Sequence, residues 1–194
     1  IINMSFGKKI SPHKDRVDEA FKYAASKDVL LVLAAGNDNK DMDVDPEYPN
    51  DLFLDGQTDA DNLVNVGASS AKPGEHLAGD FSNYGKKMVD VFAPGVKVTT
   101  IDTDAEFNTE DGTSFSAPIT SGIAALVLEY YPTLSARQLK QAILESATPL
   151  TGTMVYKPGS KTEKVDFTTL SKTGGIVNAY KALQVASKMQ GERK

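Results

Sequence analysis
Short unbroken apolar runs alternate along this chain with segments of helical period. Residues 1–4 form a β-type run closed by Ser5-Phe6-Gly7. Over residues 15–26, Val17, Ala20, Phe21, Ala24 and Ala25 recur at i, i+3, i+4, i+7 and i+8, the spacing of one helix face. Residues 29–34 follow without polar alternation, as a strand does when helices cover both faces of a parallel sheet. Strand, helix and strand in this order predict a right-handed βαβ unit.

After Gly36 an irregular stretch reaches Asn62, and residues 63–68 predict the next strand. Residues 89–93 and 96–101 are shorter β candidates separated by Pro94-Gly95. A helical block is expected from near Ser114 to Tyr131, where Pro132 stops it. Ser135 then caps a second helix over 136–147, with Gln138 at the capping-box position. Gly174-Gly175 punctuates the chain before a last amphipathic helix over 177–189. No internal repeat or low-complexity linker interrupts this order. The pattern predicts an α/β fold, one domain or part of one.

Composition narrows the picture. With 194 residues, 40% of them apolar, the chain can bury a core and falls outside the disordered class. Its longest apolar run, residues 29–35, is far short of the roughly 18 residues of a membrane span. The lack of cysteine excludes disulfides, thiol nucleophiles and Cys-ligated zinc. A net charge of −5 carries no nucleic-acid footprint. That charge is uneven: Asp38, Asp41, Asp43, Asp45, Glu47, Asp51, Asp55, Asp59 and Asp61 crowd a segment whose only base is Lys40. Asp41-x-Asp43-x-Asp45 opens like a calcium loop, but Pro46 and Leu52 occupy the positions that need Gly and Glu. The segment reads as a solvated acidic loop, and no metal ligand is assigned. The opening Ile1-Ile2-Asn3 has neither an initiator Met nor a signal pattern and reads as part of a longer protein.

Two segments carry candidate chemistry. Leu33-Ala34-Ala35-Gly36-Asn37 is a buried strand that ends in small residues and then an amide, which a plain Gly-Asn turn would also explain. Asp111-Gly112-Thr113-Ser114-Phe115-Ser116-Ala117-Pro118 puts a hydroxyl at a helix start. Ser114 there is either a helix cap or a nucleophile whose developing charge faces the positive helix end.

Together and in this order, these segments resemble the subtilisin-like serine proteases, the subtilases, and the resemblance extends over nearly the whole chain. Further landmarks are Ile2-Asn3-Met4-Ser5-Phe6-Gly7, Tyr48-Pro49 with Val64-Asn65-Val66-Gly67-Ala68, Phe81-Ser82-Asn83-Tyr84-Gly85, Ala93-Pro94-Gly95 and Gly175-Ile176-Val177-Asn178-Ala179. The sequence departs from the pattern at Ile119, where many members carry His, and at Ser121, where Ala or Gly is usual. The resemblance implies a three-layer α/β fold with a mostly parallel sheet flanked by helices. It implies acyl transfer from a peptide or protein substrate, with Ser114 as nucleophile and Asn37 and the Ser114 N–H as oxyanion donors. Ser5, Phe6 and Gly7 would pair with an extended substrate. Ala34, Ala35, Gly36 and Thr113 would complete the binding site. No cofactor is implied, and calcium, which many members bind, has no motif here. Secretion, or a periplasmic or cell-surface location, follows from family habit alone.

The family places its Asp and His before the substrate-binding strand, and this sequence has no matching Asp or His segment. His13 and His76 stand elsewhere and read as surface residues, and no lysine is singled out as a substitute base. The expectation is therefore the C-terminal half of a catalytic domain, an incomplete fold that is inactive by itself. It should expose an apolar sheet edge open to the missing N-terminal half or to a second copy. A catalytically dead, peptide-binding relative is the alternative.

Overall fold
A computed structural model describes residues 1–56 and 59–193, so Gln57 and Thr58 within the acidic segment, and Lys194, lie outside the described residues. In chain order the strands are β1 (Ile2–Met4), β2 (Leu31–Ala34), β3 (Leu63–Ser70), β4 (Val91–Val96), β5 (Val98–Ile101), β6 (Phe107–Glu110), β7 (Thr148–Pro149), β8 (Met154–Tyr156), β9 (Lys164–Asp166) and β10 (Gly175–Ile176). The helices are α1 (Lys14–Ser26), α2 (Thr113–Tyr130), α3 (Ala136–Ser146) and α4 (Ala179–Ala186).

Six strands form the main sheet in the order β1-β2-β3-β4-β10-β7. All its pairings are parallel except that of β7 with β10. Side chains alternate across it, and both faces are covered. Val32, Val64, Val66, Val91 and Ala93 pack with Ala117, Ala124 and Val127 of α2, Leu139 and Ile143 of α3 and Ala182 of α4. Leu31, Leu33 and Leu63 face the other way, onto Phe21 of α1 and onto Phe53. Two covered faces explain why these strands read as unbroken apolar runs. The fold is α/β, a mostly parallel sheet flanked by helices, as the resemblance implied.

Three local expectations change. On α1 only Val17, Phe21 and Ala24 of the predicted face reach the core, while Ala20 and Ala25 are exposed. The helix is rolled so that Asp18 turns inward, where it pairs with Lys14 at 2.7 Å and accepts the Leu54 N–H at 2.8 Å. Pro94-Gly95 does not separate two strands, because β4 runs through it. Pro94 lies opposite Ser69, where the β3–β4 register shifts, so its missing N–H falls at an irregularity of the ladder. Gly95 lets the strand press against α2: a Cβ there would stand 2.2 Å from Ser116 Oγ. The capping box at Ser135 and Gln138 forms as predicted, and the last helix is shorter than 177–189.

The acidic segment is not simply solvated. Asp43 accepts the Lys87 and Met88 amides, and Asp59 pairs with Lys140 at 2.7 Å and Lys172 at 2.6 Å. Lys172 also pairs with buried Asp90 at 3.0 Å. Asp51, only 4% exposed, sits in this network. Burial, reinforced by the negative charge of Asp90, pushes its carboxyl up to about 6. A raised carboxyl binds its proton more tightly when folded, so its contribution to stability is present at acid pH and is lost as pH rises through about 6. Each tenfold gain in proton affinity on folding corresponds to about 1.4 kcal/mol, so Asp51→Asn should stabilise the chain at pH 7.5 by up to about 3 kcal/mol. The gain should vanish near pH 4. Thermal unfolding at the two pH values tests both signs.

Candidate active site
Helix α2 begins at Thr113 behind Gly112, a cap residue with no side chain to offer. First-turn amides have no intrahelical acceptor, so one must come from elsewhere. Asn37 supplies it: its Oδ1 accepts the Thr113 N–H at 2.9 Å and the Thr113 hydroxyl at 2.9 Å. The Thr113 oxygen in turn accepts the Gly36 N–H at 3.1 Å. Ser114 is thus the second helical residue, and the reading of it as the helix cap is set aside. With Oδ1 turned to Thr113, the Nδ2 end of Asn37 is left for the cleft.

Pro118 lies within α2 and has no N–H to give the carbonyl four residues back, which is that of Ser114. The Ser5 hydroxyl donates to this carbonyl at 2.9 Å and so ties the end of β1 to the first turn of α2.

Asn83, fully buried, holds the loop that carries Asn37. Its Oδ1 accepts the Asp38 and Lys40 amides at 3.1 and 2.9 Å. Its Nδ2 donates to the Ala35 carbonyl at 2.9 Å and to Glu47 Oε2 at 3.2 Å, and its backbone N–H donates to the Gly36 carbonyl at 2.9 Å. Gly36, at φ 103°, has to be glycine: a Cβ would lie 2.4 Å from the Asn83 amide nitrogen and 2.6 Å from Glu47 Oε2.

These elements enclose a cleft of about 240 Å³. Ser114, Asn37 and Thr113 line one end of it. Ser5, Phe6 and Gly7 form one wall, with Phe6 63% exposed, and Ala34, Ala35 and Gly36 form another. All nine residues singled out from the sequence meet in this one cavity. Sequence reasoning assigned no role to Asn83, Glu47 or Asn65. Asn83 stood only inside a landmark, Asn65 inside a strand, and Glu47 among nine acids. Burial, and then the neighbouring Asp38 carboxyl, push the Glu47 carboxyl above its ordinary value. Among the described residues no histidine or lysine lines the cleft. His13 stands at the start of α1 beside another cavity, and exposed His76 packs against Tyr156 with ring centroids 5.0 Å apart.

The subtilase family model matches residues 1–175. The extracellular serine proteinase of Thermus sp. strain Rt41A is 35% identical over 151 residues, which are 77% of this chain and 33% of that protein. Subtilisin DY of Bacillus licheniformis is 31% identical over 162 residues, 82% of this chain and 53% of the relative. Among solved structures, the prenylagaramide maturation protease PagA superposes with a TM-score of 0.71 at 25% identity, covering 95% of this chain and 61% of its own. The chain thus spans about a third to a half of the length of these curated relatives. No helix among the described residues is long and apolar enough to cross a membrane.

Replacing Asn83 with Ala would strip the partner from the buried Ala35 carbonyl and from the Asp38 and Lys40 amides nearer the surface, and a buried group left unsatisfied costs about 1–3 kcal/mol. Asn83→Ala should lower the stability of the chain by about 2 kcal/mol in urea unfolding, and Gly36→Ala should also destabilise it. A loss under about 1 kcal/mol for Asn83→Ala would show that the loop does not lean on this amide.

Proposed function
The chain belongs to the subtilase family, and from that premise we propose that it is the nucleophile-bearing part of a serine endopeptidase. The Ser114 hydroxyl attacks the scissile carbonyl and forms an acyl-enzyme. The Asn37 Nδ2 and the Ser114 N–H donate to the tetrahedral oxyanion, the latter at the positive end of α2. The substrate lies extended along Ser5, Phe6 and Gly7, and one of its side chains enters the cleft bounded by Ala34, Ala35, Gly36 and Thr113. The observation that carries this reading is that Ser114 and Asn37, 77 positions apart in sequence, border one cavity and are joined through Thr113.

A serine hydroxyl needs a base in reach and an orienter behind that base. The cleft offers no histidine among the described residues, so the base and its partner come from a segment outside this chain. A second reading, a peptide-binding relative without activity, draws on the same observation. One of the matched relatives is named extracellular, and we extend secretion to this protein on that likeness.

The sheet offers a place for the outside segment. Strand β1 is one edge of the main sheet and among the described residues pairs with β2 alone, and Ile1 and Ile2 are exposed there. On α2 the row Pro118, Gly122, Ala125 and Leu126 is exposed as well. We propose that the remainder of the catalytic domain covers this side, and that the chain separated from it pairs with a second copy across the same edge.

Three outcomes follow. The chain by itself should hydrolyse peptides negligibly, whereas the full-length protein should be labelled by a fluorophosphonate at Ser114 and lose labelling in Ser114→Ala. Asn37→Ala in the full-length protein should cost a loss of the size subtilisin shows when its oxyanion-hole amide is removed, about 10²–10³-fold in kcat. Light scattering of the chain alone should give a dimer mass, and a monodisperse monomer at high concentration would refute the pairing. Peptide binding by the full-length protein without labelling or turnover would favour the inactive relative.

A further inference from the structure
The floor of the cleft beside Ser114 has an unusual chemical balance. Two acceptors there receive no hydrogen bond: Glu47 Oε1, on a residue 8% exposed, and Asn65 Oδ1, on a residue 2% exposed. The other polar ends of both side chains are engaged, Glu47 Oε2 by Asn83 and Asn65 Nδ2 by the Met88 carbonyl. The cation nearest to Glu47, Lys40, stands 3.8 Å from Oε1 and gives its hydrogen bond to Asp45 at 2.5 Å. Asp38 adds a second carboxylate to the lining, with the exposed Lys9 beside it at 3.7 Å. Among the described residues no lysine, arginine or histidine lines the cavity. A buried acceptor without a donor is costly, more so when it is charged, so this floor is short of both hydrogen-bond donors and positive charge.

We propose, building on the protease reading above, that this cleft selects a lysine or arginine side chain on the residue that contributes the scissile carbonyl, with Glu47 and Asn65 as the residues that recognise its head group. The ammonium or guanidinium supplies several donors and no acceptor, the complement of two unfilled acceptors. The aliphatic stem passes between Phe6 and the small residues Ala34, Ala35 and Gly36, surfaces suited to methylenes. Asp38, partly exposed at the cleft, draws cations inward and repels acidic side chains. An aromatic or aliphatic side chain would fill the space and leave both acceptors dry. A site arranged to hydrogen-bond its ligand rejects an analogue that lacks the hydrogen-bonding group far more strongly than an apolar pocket rejects a change of shape.

The test uses the full-length protein and a set of fluorogenic tetrapeptides that differ only in the residue before the cleaved bond: Arg, Lys, Phe, Leu or Glu, each releasing aminomethylcoumarin. The expected result is a kcat/KM for Arg or Lys at least tenfold above Phe, with Glu lowest. Glu47→Gln should cut the Arg-to-Phe ratio at least tenfold. The more exposed Asp38→Asn should cut it by a smaller factor, and it keeps the test informative if Glu47 variants fold poorly. The ratio is read within each variant, so loss of folded protein does not move it. A protein that is labelled at Ser114 yet prefers Phe or Leu, or whose ratio neither variant changes, overturns this inference and leaves the protease reading standing. A protein that neither labels nor cleaves removes both.

Discussion

One oxygen, Asn37 Oδ1, holds together two stretches of chain 76 residues apart, because it supplies an acceptor that the start of α2 lacks. Gly112 has no side chain, so the helix cannot cap itself. The cap arrives from the end of β2, and that single choice of acceptor sets the position of the amide relative to the hydroxyl one residue further along α2. Around it Asn83 fixes the backbone from Ala35 to Lys40 on both its donor and its acceptor side, so the amide rests on a loop with few alternatives. Thr113 and Asn83, both buried, anchor this chain of polar groups, and an unmet partner there costs more than it would at the surface.

How much of this was legible in the sequence depends on whether the signal was local. The period of α1, the unbroken runs of β2 and β3, and the Ser135 capping box are written in neighbouring residues, and all appear in the structure. The nine candidate residues could be named because they sit in compact motifs, and they line one cavity. What escaped was set by distant parts of the chain. Asp18 turns inward because Leu54, far along the chain, presents an N–H to it. Pro94-Gly95 stays within β4 because β3 shifts register opposite and Ser116 crowds the glycine. The exposed strand β6 carries no burial pattern at all. Glu47 and Asp51 looked like any other acids of a charged stretch, and only their packing separates them from Asp45 or Asp55.

The two helical layers differ in how far they are closed. The layer of α2, α3 and α4 buries one side of α2 thoroughly, in Ala117, Ala124 and Val127. The opposite side of that helix is small and apolar yet exposed, in Pro118, Gly122 and Ala125. Strand β1, at one edge of the main sheet, likewise leaves Ile1 and Ile2 exposed.

Pro118 leaves the Ser114 carbonyl without its helical partner, and the Ser5 hydroxyl fills the gap. The strand that forms one bank of the cleft and the turn that bears the hydroxyl are thereby geared to each other. A displacement of residues 5–7 would therefore carry through the Ser5 hydroxyl to the Ser114 carbonyl, so the cleft wall and the helix start would shift together.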